Sequence, residues 1–97
     1  IIISAGLGIE DSETRAARQA QDERWALRFE SDESWKQLIS DWNALPVFGG
    51  RPSPFARSED HFDRRALADG MRLWSPARHQ FLLPRLASIG VPLLWLA

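Results

Sequence analysis

Ile1-Ile2-Ile3-Ser4 opens the chain and Val91-Pro92-Leu93-Leu94-Trp95-Leu96-Ala97 closes it. Both runs are apolar without the alternation of a strand that faces water on one side. Such runs belong to strands buried on both faces of a parallel sheet. Two buried strands need neighbouring strands that 97 residues cannot supply. The expected architecture is therefore a piece of a larger α/β protein: two core strand segments with a mostly helical insertion between them.

The insertion is punctuated by residues that start and stop helices. Ala5-Gly6-Leu7-Gly8 forms a turn with two glycines. Glu10, Asp11, Ser12 and Glu13 follow, offering an N-cap and a negative first turn to a helix predicted over residues 12–29. Ala17, Gln21, Trp25 and Phe29 fall every four residues on one stripe of it. Arg18 and Asp22 flank that stripe one turn apart, close enough to pair.

A second helix begins after Ser31 or Asp32, where Trp35, Leu38, Ile39 and Trp42 share one face, and Pro46 ends it. Gly49-Gly50-Arg51-Pro52-Ser53-Pro54 is a loop. Ser58 is the expected cap of a third helix, with Phe62, Leu67, Met71 and Trp74 on its apolar side. Ser75-Pro76 reads as an N-cap followed by proline at the first helical position. Pro84 interrupts the next segment, Leu86 to Ile89 make a short helical turn, and Gly90 precedes the closing strand.

Composition excludes several kinds of function. Net charge is −1, so no global field draws the chain to nucleic acid or an anionic membrane. No apolar stretch approaches the ~18 residues that span a bilayer, and a soluble, cytoplasmic parent is the expectation. Cysteine is absent, which removes disulfides and thiolate chemistry. His61 and His79 lack partners at ligand spacing and read as exposed helix residues, with no metal site. Gly6-Leu7-Gly8 lacks the rest of a dinucleotide fingerprint. Ser4 stands before a glycine turn but not within G-x-S-x-G, so it reads as structural. No catalytic residue is assigned to this chain. Lys36 is the single lysine beside eleven arginines, and arginine's planar fork matches carboxylates.

Strand, helices, strand is the layout of a helical cap inserted into an α/β-hydrolase fold. Ser4-Ala5-Gly6-Leu7-Gly8-Ile9-Glu10-Asp11, Arg15-Ala16-Ala17-Arg18, Asp22, Trp25-Ala26 and Arg28-Phe29 carry a closer likeness, as do Asp41-Trp42 and Pro46-Val47-Phe48-Gly49-Gly50. These segments resemble the 2-succinyl-6-hydroxy-2,4-cyclohexadiene-1-carboxylate synthases, α/β-hydrolase-fold lyases of menaquinone biosynthesis. In that family the first cap helix carries R-x-x-R-x-x-x-D-x-x-W-A-x-R-F. The likeness covers residues 1–50, weakens over 51–80, and resumes from Leu83-Pro84-Arg85-Leu86 to Ala97.

The resemblance implies a core strand and exit turn at 1–8, a helical cap at 9–82, and a return segment and core strand at 83–97. It implies a parent enzyme that eliminates pyruvate from a carboxylated cyclohexene, without cofactor, through a Ser-His-Asp triad outside these residues. The fragment alone would be inactive. Arg18 would bind a substrate carboxylate and Trp42 would line the pocket. Arg57, with Arg64 as the alternative, would supply a third-helix cation. Asn43 and Leu45 depart from the family's tyrosine and glutamine. The implied partners are a small carboxylated substrate and the remainder of the hydrolase core, with neither nucleic acid nor membrane. Two other readings stand beside this one: the cap of an esterase or C–C hydrolase, and a non-enzymatic helical interaction module.

Overall fold

The structure is a computed structural model and describes residues 2, 3 and 6–96. It is mostly helical. Strand β1 (Ile2–Ile3) is followed by α1 (Ser12–Glu30), α2 (Trp35–Asn43), α3 (Arg64–Leu73), the single turn α4 (Leu83–Leu86) and strand β2 (Trp95–Leu96). Three short 3-10 turns at Pro46–Phe48, Glu59–His61 and Pro76–Arg78 join them. The two strands pair in parallel, Ile2 opposite Trp95 and Ile3 opposite Leu96. The closing run is strand only over those two residues; Val91 to Leu94 are not. Ser4, Ala5 and the outermost residue at each end lie outside the described residues.

Local chemistry accounts for the helix boundaries. Asp11 caps α1, its carboxylate accepting from the Thr14 amide at 2.6 Å. At the other end the Ser31 amide donates to the carbonyls of Leu27 and Arg28, closing the last turn. Proline sits in the first turn of both Pro76–Arg78 and α4, where its missing N–H has no partner to lose. Pro84 therefore lies in the first turn of α4 instead of interrupting a segment, and the expected turn at Leu86 to Ile89 follows directly on α4, with the Ile89 amide donating to the Leu86 carbonyl at 3.1 Å. Ser75 caps its turn as expected, accepting from the Ala77 amide at 3.2 Å.

The third helix differs from its expectation. Ser58 precedes only the Glu59–His61 turn and makes no side-chain capping bond. Phe62 is extended, at φ −131° and ψ 144°, and its ring lies 5.4 Å from Trp35. That contact breaks the helical path. Asp63 then starts α3 afresh, accepting from the Ala66 amide at 3.1 Å. The helix stops at Leu73, which leaves Trp74 exposed and not on an apolar face.

The core lies where α1, α2 and α3 meet. Trp25, Ala26, Phe29, Leu38 and Ala68 are its buried residues, with Trp35, Ile39, Trp42, Leu45, Leu67 and Met71 packed against them. Ala26 and Ala68 are fully buried, and side chains this small let α1 and α3 approach closely. Leu38 is also fully buried, contributing about 1.5–3 kcal/mol by leaving water. Ala17 and Gln21, expected on the buried stripe, are exposed. The covered face of α1 instead carries Asp22, Trp25, Ala26 and Phe29. Nineteen residues of α1 face ten of α3, so only part of the stripe gains a partner.

Charged clasps hold the helices in register. Arg72 of α3 binds Glu23 at 2.9 Å and Glu30 at 2.7 Å, both on α1. Arg28 of α1 binds Glu33 at 2.5 Å and Asp41 of α2 at 2.6 Å, and its guanidinium lies 4.7 Å over the Trp25 ring. These arginines hold all four carboxyls below their ordinary values. At the two ends of the helical part, the Leu82 amide donates to the Leu7 carbonyl at 2.8 Å.

Candidate functional site

A cleft of about 400 Å³ opens between α1 and the end of α2. Arg18, Asp22, Trp25, Trp42, Val47 and Met71 are among its walls. Trp25 and Trp42 make its aromatic side, meeting edge to face with ring centroids 5.0 Å apart. Phe29 and Phe48 support Trp42 from behind, at 5.9 and 6.5 Å. Arg18 and Trp42, read from separate segments, thus share one cavity.

Arg18 is held from one side only. Its Nε donates to both carboxylate oxygens of Asp22, each at 3.0 Å. The Asp22 side chain is 5% exposed, whereas the Arg18 side chain keeps 44% of its surface. Among the described residues, neither Nη of Arg18 has a hydrogen-bond partner. Four N–H donors therefore remain at the rim of an apolar-walled cleft, the arrangement that suits a planar anion.

Arg57 lies elsewhere. One of its Nη atoms donates to Asn43 Oδ1, and its own carbonyl accepts from Trp35 Nε1 at 2.6 Å. It borders a second, apolar cavity of about 180 Å³ with Phe29, Trp35, Trp42 and Phe62. Trp42 and Met71 line both spaces and separate them. Arg64, the alternative, donates to Glu59, to the Ser31 carbonyl at 2.9 Å and to the Glu33 carbonyl at 2.8 Å. It braces the α1–α2 link. Of the three residues expected to bind substrate, the structure brings together Arg18 and Trp42 and leaves Arg57 outside their cleft.

The departures at Asn43 and Leu45 have distinct places. Leu45 lines the Arg18 cleft and makes that wall apolar. Asn43 turns away and engages Arg57. Met71 and Val47 enter the cleft from α3 and the Pro46–Phe48 turn, which periodicity within one helix could not reveal. His61 and His79 are exposed, as expected, but neither lies in an α-helix: His61 ends the Glu59–His61 turn and His79 follows the Pro76–Arg78 turn. No described helix is long and apolar enough to cross a membrane.

No family model matches the chain, and no solved structure matches it. Similarity to curated proteins is present. The 2-succinyl-6-hydroxy-2,4-cyclohexadiene-1-carboxylate synthase of Yersinia pseudotuberculosis serotype O:3 is 30% identical over 102 aligned residues. That of Yersinia pestis strain Pestoides F shows the same identity. Each alignment takes in 99% of this chain and 36% of the relative, so the chain spans about a third of the length of the curated proteins it is similar to.

Proposed function

We propose that this chain is the substrate-binding cap of an α/β-hydrolase-fold lyase that eliminates pyruvate from a carboxylated cyclohexene, as a 2-succinyl-6-hydroxy-2,4-cyclohexadiene-1-carboxylate synthase does. One observation carries the reading: Arg18, whose Nη donors have no partner among the described residues, stands in the same cleft as Trp42. The cation takes a substrate carboxylate, the indole packs on the ring, and fixing both aligns the proton to be removed. All acid–base and triad chemistry belongs to segments beyond this chain. Parallel pairing of β1 with β2 and the Leu7–Leu82 bond support a cap that leaves and re-enters one sheet between residues 8 and 83. On this reading the hydrolase core covers exposed apolar residues such as Val47 and Trp74.

The test is Arg18→Ala in the full-length enzyme, followed by pyruvate release. Loss of a charged hydrogen bond in a closed cleft costs ~2–4 kcal/mol, so kcat/KM falls roughly 30- to 1,000-fold. Arg18→Lys recovers part of that, since a point charge lacks the fork. Wild-type kinetics in Arg18→Ala would remove the proposal.

Leu45 favours one rival. An apolar wall where the family carries glutamine fits the cap of an esterase acting on a less charged substrate. Ester hydrolysis without pyruvate release by the full-length enzyme would decide for it.

A further inference from the structure

We infer that Asp22 is the positioning residue of the cleft: its buried carboxylate grips Arg18 by Nε alone and so aims the two Nη groups outward as the substrate fork. The inference rests on the reading of Arg18 as the carboxylate-binding residue. It adds a residue with a different task.

The geometry is particular. A carboxylate can pair with arginine side-on, through Nε and one Nη, or end-on, through both Nη groups. Asp22 does neither. Both of its oxygens sit 3.0 Å from the same Nε, and the terminal nitrogens are left for another partner. Asp22 is 3% exposed, flanked on α1 by Trp25 and Ala26, so its own position is set by packing. Arg18 by contrast is half in solvent and has several rotatable bonds. A rigid anchor on a mobile cation reduces the side-chain freedom lost when substrate binds. The anchor is one helical turn along the same element, so the pair moves as a unit with α1.

A surface pair at this spacing would show a different pattern. Exposed pairs of this kind have both partners in water and are worth under ~0.5 kcal/mol. Here the carboxylate is the buried partner and the cation the exposed one. Burying the acid under the arginine makes structural sense if the arginine's outward face is the part in use. Asp22 also borders a smaller space with Gln19, Glu23, Arg72, Ser75 and Arg78. The cations there are committed: Arg72 is held by Glu23 and Glu30, and Arg78 donates to the Arg72 carbonyl at 3.4 Å. Arg18 is the cation that Asp22 holds among the described residues.

The experiment is a double-mutant cycle in the full-length enzyme, read as kcat and KM for pyruvate release, with melting temperatures recorded alongside. Asp22→Ala should lower kcat/KM by roughly 10- to 100-fold, the scale of misplacing a binding group. The same substitution should cost no further activity in an Arg18→Ala background. Asp22→Asn keeps the shape and one acceptor, and its loss should be smaller and again absent without Arg18. It serves as the test if the alanine variant does not fold. An impaired Arg18→Ala with losses at Asp22 that persist in its absence would overturn this inference and leave the binding role of Arg18 intact. So would a lowered KM in both Asp22 variants, which would mean that Asp22 only neutralises the cation. Wild-type kinetics in Arg18→Ala would overturn the binding role itself.

Discussion

Trp42 meets Trp25 edge to face, with ring centroids 5.0 Å apart and planes at 83°. The pair joins α2 to α1 and at the same time forms the aromatic wall of the Arg18 cleft. On the proposed reading, stability and binding converge on one side chain. Trp42→Ala should destabilise the full-length protein by about 2–4 kcal/mol, somewhat below a fully buried aromatic because Trp42 is half-buried. Trp42→Phe should restore most of that stability. Urea unfolding gives the first number, and on the proposed function KM for pyruvate release should rise in both variants.

Gly8 has φ +92°, and a Cβ there would stand 2.8 Å from the Gln80 carbonyl oxygen and 3.1 Å from the Phe81 Cα. Both obstacles are backbone and cannot swing aside. The neighbouring Leu7 carbonyl accepts from the Leu82 amide across the same junction. Gly8→Ala should cost roughly 1–3 kcal/mol through backbone strain and the lost junction. Gly50, at φ +72° with open space around it, should tolerate alanine at a smaller cost. Thermal melts of the two variants side by side check the contrast.

Capping offers a second contrast. Asp63 accepts from the Ala66 amide, whereas Ser58 makes no side-chain capping bond. Asp63→Ala should cost about 1 kcal/mol and Ser58→Ala less than about 0.5 kcal/mol. A reversed order would mean that Ser58 starts the third helix after all.

Acid should loosen the clasps. Hydrogen bonds from Arg72 lower Glu23 and Glu30, and those from Arg28 lower Glu33 and Asp41. Groups whose folded-state values are depressed give stability that is fully present above their unfolded values. That stability is lost as pH falls through the folded ones. The ordinary value for these glutamates is 4.5. The melting temperature should stay level from about pH 7 to about pH 5 and decline below about pH 4.5. Arg72→Ala should flatten the decline, since Glu23 and Glu30 then titrate alike in both states. Salt should have the same effect, because these carboxylates lie at the surface.

The span of α1 and the place of α2 were legible in the amino-acid sequence, because they depend on residues within one or two turns; α2 starts at Trp35 after Ser34, a little later than expected, and the start of α3 was not legible. Asp11 and Ser75 act through bonds to amides two or three residues away, Pro76 through its fixed φ in the first turn, and α2 carries an apolar face that any partner would bury. The pairing of Arg18 with Asp22 was legible for the same reason: four residues on a helix place them side by side. Tertiary structure alone decided what depends on distant neighbours. Phe62 left the helix for Trp35, 27 positions earlier. Ala17 and Gln21 stayed exposed because the shorter α3 covers only part of α1. Asp22 turned out to be the buried partner, and Arg57 was drawn to Asn43 and away from the cleft. Periodicity names the face of a helix that can be buried; only the packing of another element says how much of that face is covered, and by what.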